Sequence, residues 1–151
     1  MAKLNRTEQQ AWRGFLRVHD QLWKALNKAM QNDSDLNLPA YELLLALEEA
    51  GEDGLRMTEL AHRLAYTAGG LTRLTDKLEG RGWIERRRSA ADGRGFEVRL
   101  TAAGRVFLQR VHVLHLRHVR GLFHDKLTPD EQTALADIWN KLTLPAENSP
   151  S

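Results

Sequence analysis

Three observations predict a mainly α fold with a small β-hairpin. Apolar residues recur every three or four positions along most of the 151-residue chain, which is the period of helices. Between residues 83 and 100 the period changes. Phe96, Val98 and Leu100 are apolar while Glu97 and Arg99 are charged, the alternation of a strand with one buried and one wet face. Charge gathers around that stretch. Residues 56–105 hold eleven Lys/Arg and six Asp/Glu, a balance of +5, whereas the rest hold eleven and fourteen, a balance of −3. The net charge of +2 therefore hides a basic, polyanion-facing segment in an acidic scaffold.

Residues 6–31 form the first expected helix, with Trp12, Phe15, Leu16, His19, Leu22, Trp23, Leu26 and Met30 on one stripe. Asn32 to Asn37 is a polar break. Pro39 suits the first turn of a second helix, whose ELLLALEEA run stops at Gly51. TELAHRLA is a short third helix with Thr58 near its start, and Ala65 and Tyr66 make a tight turn after it. Thr67 caps a fourth helix, AGGLTRLTDKLEGRG, which Gly80 and Gly82 end. Leu71, Leu74 and Leu78 share one face of it, and Arg73 and Lys77 lie on the opposite face. The hairpin follows as WIERRR, the loop SAADGRG and FEVRL. Beyond Thr101 the helical period lasts to about Lys126, a length of roughly 36 Å at 1.5 Å per residue. The last helix starts at TPDE. Thr128 caps it, Pro129 suits its first position and Glu131 closes a capping box. Leu135, Ile138, Trp139 and Leu142 are its apolar stripe.

Two short helices with a tight turn, followed by a basic hairpin, describe a winged helix–turn–helix. The dimensions suit double-stranded DNA. A helix about 10–12 Å across enters a major groove about 12 Å wide. A hairpin beside it can place an arginine in the narrower minor groove, where the potential is most negative.

Other classes are excluded by what the chain lacks. There are no cysteines, so disulfides, thiolate metal sites and thiol redox sensing are out. No apolar run approaches the ~20 residues of a membrane span. The start MAKLNRTEQQ has no signal-like apolar stretch, and a cytoplasmic location is expected. Walker, HExxH, G-x-S-x-G and dinucleotide-glycine signatures are absent, and the serines (34, 89, 149 and 151) all fall in expected loops or the tail, so no enzyme and no cofactor is expected.

The wing sequence DGRGFEVRLT (92–101) is similar at every fixed position to the D-x-R-x-x-x-V-x-L-T signature of the MarR family of bacterial transcriptional regulators. ELAHRL, LTRLTDKLEGRGWIERR and LTPDE resemble further family segments in order and spacing, and the likeness covers about residues 6–143. The resemblance implies a winged helix–turn–helix at 39–101 and N- and C-terminal dimerisation helices at 6–31 and 102–143, with 144–151 expected as a disordered tail. It implies a homodimer on a short pseudo-palindrome, most commonly as a repressor. It also implies a small effector, often an aromatic anion, that weakens DNA binding. By position, Arg94 looks like the wing-tip arginine of the minor groove and Asp92 like the acid that orients it. Glycines on both sides of Arg94 fit close backbone approach, and an acid two residues away fits a charge-assisted bond to the guanidinium. Thr67, Gly69, Gly70, Thr72, Arg73 and Lys77 form the expected DNA-facing set of the recognition helix, and Arg86, Arg87 and Arg88 the expected phosphate anchors. Ala68, Gly69 and Gly70 stand where family members usually carry polar side chains. Direct readout then rests on Thr67, Thr72, Arg73 and Lys77, with wing and shape readout carrying the rest.

The remaining features have alternative readings. His112, His115 and His118 step round their helix by about 300° each time, so at most a pair can face one ion. A metal-responsive regulator would need His19 or an acid from another helix to complete a site. Trp12, Trp23 and Trp139 fall on helical stripes and Trp83 heads a strand, and core packing is expected of each. Trp23, Tyr41 and His115 are the candidate effector pocket. A winged helix used only for protein contacts is the other alternative, and the basic wing argues against it.

Overall fold

The computed structural model describes residues 3–88 and 96–143. The expected tail and the wing tip, including Asp92 and Arg94, lie outside the described residues. Six α-helices and three short strands are described, in the order α1 (Arg6–Ser34), α2 (Leu38–Ala50), β1 (Leu55–Arg56), α3 (Met57–Arg63), α4 (Ala68–Gly80), β2 (Ile84–Arg88), β3 (Phe96–Leu100), α5 (Ala102–Leu122) and α6 (Pro129–Leu142). The chain is a mainly α winged helix–turn–helix.

Helix boundaries follow their caps. Asn5 and Glu8 form a reciprocal capping box at the start of α1. α1 runs into the expected polar break because the Ser34 hydroxyl donates to the carbonyl of Met30 (2.7 Å), and Asp35 ends the helix in a left-handed conformation. Asn37 caps α2 and accepts from the N–H of Ala40 (3.0 Å). The Glu59 carboxylate accepts the N–H of Arg56 (2.7 Å), so α3 starts at Met57, one residue before Thr58. α5 stops at Leu122, and a single 3-10 turn, His124–Lys126, replaces the helix expected there. Thr128 and Glu131 form the expected capping box of α6.

Two-residue strand β1 escapes sequence reading. The sheet order is β1-β3-β2, antiparallel throughout, with Leu55 opposite Val98 and Ile84 opposite Leu100. Gly54 makes the first pairing possible: its φ is +71°, and a Cβ there would stand 2.4 Å from the carbonyl oxygen of Val98.

The core joins Met30, Leu43, Leu44 and Leu47 to Leu60, Leu71 and Leu78 of the helix–turn–helix, Ile84, Val98 and Leu100 of the sheet, and Leu108 and Val111 of α5. The tryptophan expectation fails for three of four. Trp12, Trp23 and Trp139 remain 55%, 40% and 41% exposed within this chain, because their stripes reach beyond its core. Trp83 behaves as expected and stacks on Phe107 at 3.7 Å.

Candidate nucleic-acid interface

α4 sits on the core through Leu71, Thr75 and Leu78, which leaves Thr72, Arg73, Asp76 and Lys77 exposed along the opposite side. Its entry is fixed by Thr67, whose Oγ1 accepts the N–H of Gly70 (3.2 Å). A Cβ on Gly70 would meet that oxygen at 3.1 Å and the Tyr66 ring at 3.4 Å, so glycine lets the turn close tightly. Gly69 has open space around it and presents bare backbone at the helix start. The Thr72 hydroxyl donates to the carbonyl of Ala68 (2.9 Å), which leaves its oxygen to accept a bond from a base or a water.

The three hairpin arginines are not equivalent. Strand alternation turns Arg86 inward, opposite Val98, while Arg87 lies on the outer face opposite Glu97. Arg86 does not stand as a free phosphate anchor. Its side chain is 25% exposed, and its Nη2 donates to Thr75 Oγ1 (2.6 Å) and to Asp76 Oδ1 (2.5 Å). Its Nη1 pairs with Glu79 Oε2 at 3.1 Å, and Glu79 Oε1 accepts the backbone N–H of Arg86 (3.1 Å). Arg87 pairs with Glu85 on the same strand at 2.6 Å and stays more than half exposed. Arg88 is exposed at the last described position of β2. Arg88 is thus exposed at the end of the strand that packs against α4, while Arg87 lies on the face turned away from α4, near Arg99 and Arg105. Sequence reading missed Thr75, Asp76 and Glu79. Two acids three residues apart within a basic segment were visible, but their partner ten residues on was not.

Of the expected effector residues, Tyr41 and His115 come together. The Tyr41 and His115 rings stack at 4.5 Å, which leaves no room for a third ring between them. The Tyr41 hydroxyl shares a 2.7 Å hydrogen bond with His112 Nδ1. Trp23 neighbours His19 on its own helix at 6.4 Å. The histidines of α5 diverge: His118 Nε2 pairs with Asp33 at 2.8 Å, away from the Tyr41 pair. Burial lowers the pKa of His115 below 6.5, with His112 and His118 adding repulsion, and burial raises that of Tyr41. Among the described residues, no three His, Cys, Asp or Glu side chains gather to hold a metal ion. Nor, among them, is any helix long and apolar enough to cross a membrane.

A helix–turn–helix with a basic strand beside its second helix defines a winged-helix regulator. The model of the MarR family matches residues 34–95. The HTH-type transcriptional regulator PrsX of Escherichia coli is 31% identical over 131 residues, covering 82% of this chain and 78% of PrsX. The transcriptional repressor MprA of Escherichia coli is 32% identical over 128 residues, covering 85% of this chain and 63% of MprA. The structure is also similar to Sco3205, a MarR family transcriptional regulator from Streptomyces coelicolor solved in complex with DNA. Their TM-score is 0.85 at 31% identity, over 100% of this chain and 97% of that one. The chain belongs to the MarR family of transcriptional regulators, and it is not an enzyme.

Proposed function

We propose that this chain is a homodimeric repressor that binds double-stranded DNA at a pseudo-palindromic operator. Residues 39–101 form the reading unit and 6–31 and 102–143 the pairing helices. The observation that carries the reading is the exposed side of α4, with Thr72, Arg73 and Lys77, on a helix that packs against the wing strand, where Arg87 and Arg88 are also exposed. The DNA complex of Sco3205 supports the DNA partner, and the repressor MprA supports the mode of control. Asp92 and Arg94 complete the reading at the wing tip, with Arg94 in the minor groove. The work takes place on DNA in the cytoplasm. A small aromatic anion as effector belongs to the same proposal, and to bind at Tyr41 it must part the Tyr41–His115 ring pair.

Selection from a random duplex library tests this. The enriched duplexes should carry two inverted half-sites. Arg94→Ala should weaken binding to them by about 1–3 kcal/mol, the range of a good groove contact. Arg88→Ala should weaken all duplexes alike and flatten the salt slope by about two units per dimer. No enrichment, together with no salt-dependent binding to any duplex, refutes the DNA-binding reading.

A further inference from the structure

We propose that Arg86 is a positioning residue: it clamps the wing strand to α4 and thereby sets how sharply the protein separates its target from other DNA. The inference rests on the DNA-binding reading. The clamp has four contacts on one turn of helix. Thr75 is fully buried, and its hydroxyl donates to the carbonyls of Leu71 (3.0 Å) and Thr72 (2.9 Å). That leaves its oxygen to accept from Arg86 at 2.6 Å. Asp76 and Glu79 take the other faces of the same guanidinium, and Glu79 also holds the Arg86 backbone. A planar fork bound in three directions fixes orientation in a way that a lysine, a point charge on a flexible stem, does not.

The consequence for recognition is geometric and electrostatic. A recognition helix and a wing occupy adjacent grooves, so the angle between α4 and β2 decides whether both seat at once. Arg86 lies at that joint, ahead of the wing tip in the chain. Asp76, moreover, is exposed on α4 as Arg73 and Lys77 are, and it reaches Arg86 of the wing strand. Unpaired, its charge would oppose the phosphates. Arg86, whose single charge is shared with Glu79, offsets part of it and makes that acid a joint on a DNA-facing helix.

The proposal separates from a charge-only account in the double variant Asp76→Ala/Glu79→Ala. Removing two negative charges from a DNA-facing helix should tighten binding to every duplex if charge alone matters. The clamp predicts instead that random duplex binds as well or better while the selected target binds worse. The ratio of the two affinities should fall about tenfold or more, the size of one lost charged hydrogen bond. Arg86→Lys should lower the same ratio although it keeps the positive charge, because a lysine cannot hold three partners in one plane. Circular dichroism melts establish that each variant is folded, and if Arg86→Lys does not fold, the double variant decides. An unchanged ratio in a folded double variant overturns the clamp. So does a ratio that folded Arg86→Lys leaves unchanged, since Arg86 then acts through its charge alone. A wild-type protein that binds no duplex refutes the DNA-binding reading itself, and one that binds all duplexes alike overturns the clamp, which then has no selectivity to set.

Discussion

Gly104 shows how one missing carbon shapes the joint between the wing and α5. A Cβ at this buried position would lie 1.9 Å from the carbonyl oxygen of Trp83 and 3.2 Å from Leu100. The crossing is close because Thr101 stitches it: its N–H donates to the Trp83 carbonyl (3.1 Å), its hydroxyl donates to that of Gly82 (2.6 Å), and its Oγ1 accepts the N–H of Gly104 (3.0 Å). Gly104→Ala must push α5 off the strand, and a loss of about 1–3 kcal/mol or more is expected from such overpacking. Gly121→Ala is the control, because open space surrounds that position and alanine should gain up to about 1 kcal/mol in a helix. Urea unfolding midpoints check both, and an unshifted midpoint for Gly104→Ala refutes the contact. Neither this role nor that of Gly54 was legible in the sequence. A glycine's clash is with backbone far along the chain, and composition does not show what comes near it. The caps at Thr67, Thr128 and Glu131 were legible, because their partners lie within three residues.

At the scale of elements, the period of apolar residues revealed every helix and the hairpin, while β1 stayed hidden because two residues carry no period. Helix ends drifted where a side chain bonds back to the backbone, as Ser34 does. The histidines of α5 show what spacing alone can and cannot give. Their angular separation was readable, but not their partners: Tyr41 of α2 for His112, Asp33 of α1 for His118, and the Tyr41 ring face for His115. His115 Nδ1 is buried with no hydrogen-bond partner among the described residues, in the seam between α2 and α5. The groups around it are Tyr41 from α2, and His112 and His118 from α5, the latter paired to Asp33 of α1. Its folded pKa is lowered by burial first and by the two histidines next, so the folded state resists the proton that the unfolded chain takes up near 6.5. Stability from this residue is therefore full above 6.5 and is lost as pH falls from 6.5 towards the lowered folded value. His115→Phe keeps a ring against Tyr41 and removes the titration. Between pH 7.5 and 5, wild type should lose more unfolding free energy than His115→Phe, and equal losses in denaturant titrations refute the assignment.

At the scale of the whole molecule, the proposed second copy gives the exposed tryptophans a partner. A helical stripe says that residues are buried without saying against what. Trp12, Phe15 and Leu16 of α1 and Ile138, Trp139 and Leu142 of α6 are all at least 41% exposed, and α6 contains no buried residue. Phe15 and Trp139 touch at 5.5 Å, so the two stripes already meet and make one apolar surface. A patch of this kind is uncommon on a monomer, and a twofold axis buries it against its own copy. In the proposed dimer, the axis also places two α4 helices on one side of the duplex. Their centres should lie about 34 Å apart, so half-site centres should be spaced about 10 base pairs. Each monomer alone makes half of the phosphate contacts and should lose most of its affinity at physiological salt. Deleting residues 127–151 should therefore weaken self-association and DNA binding together, while the core around Leu43, Leu44 and Leu47 keeps its fold. Five base pairs inserted between the half-sites should abolish specific binding, because they turn one half-site to the far face of the duplex. Light scattering and anisotropy titrations read the two effects. A stable wild-type monomer that binds a single half-site tightly refutes the pairing, and so does a truncated chain that remains a dimer with full affinity.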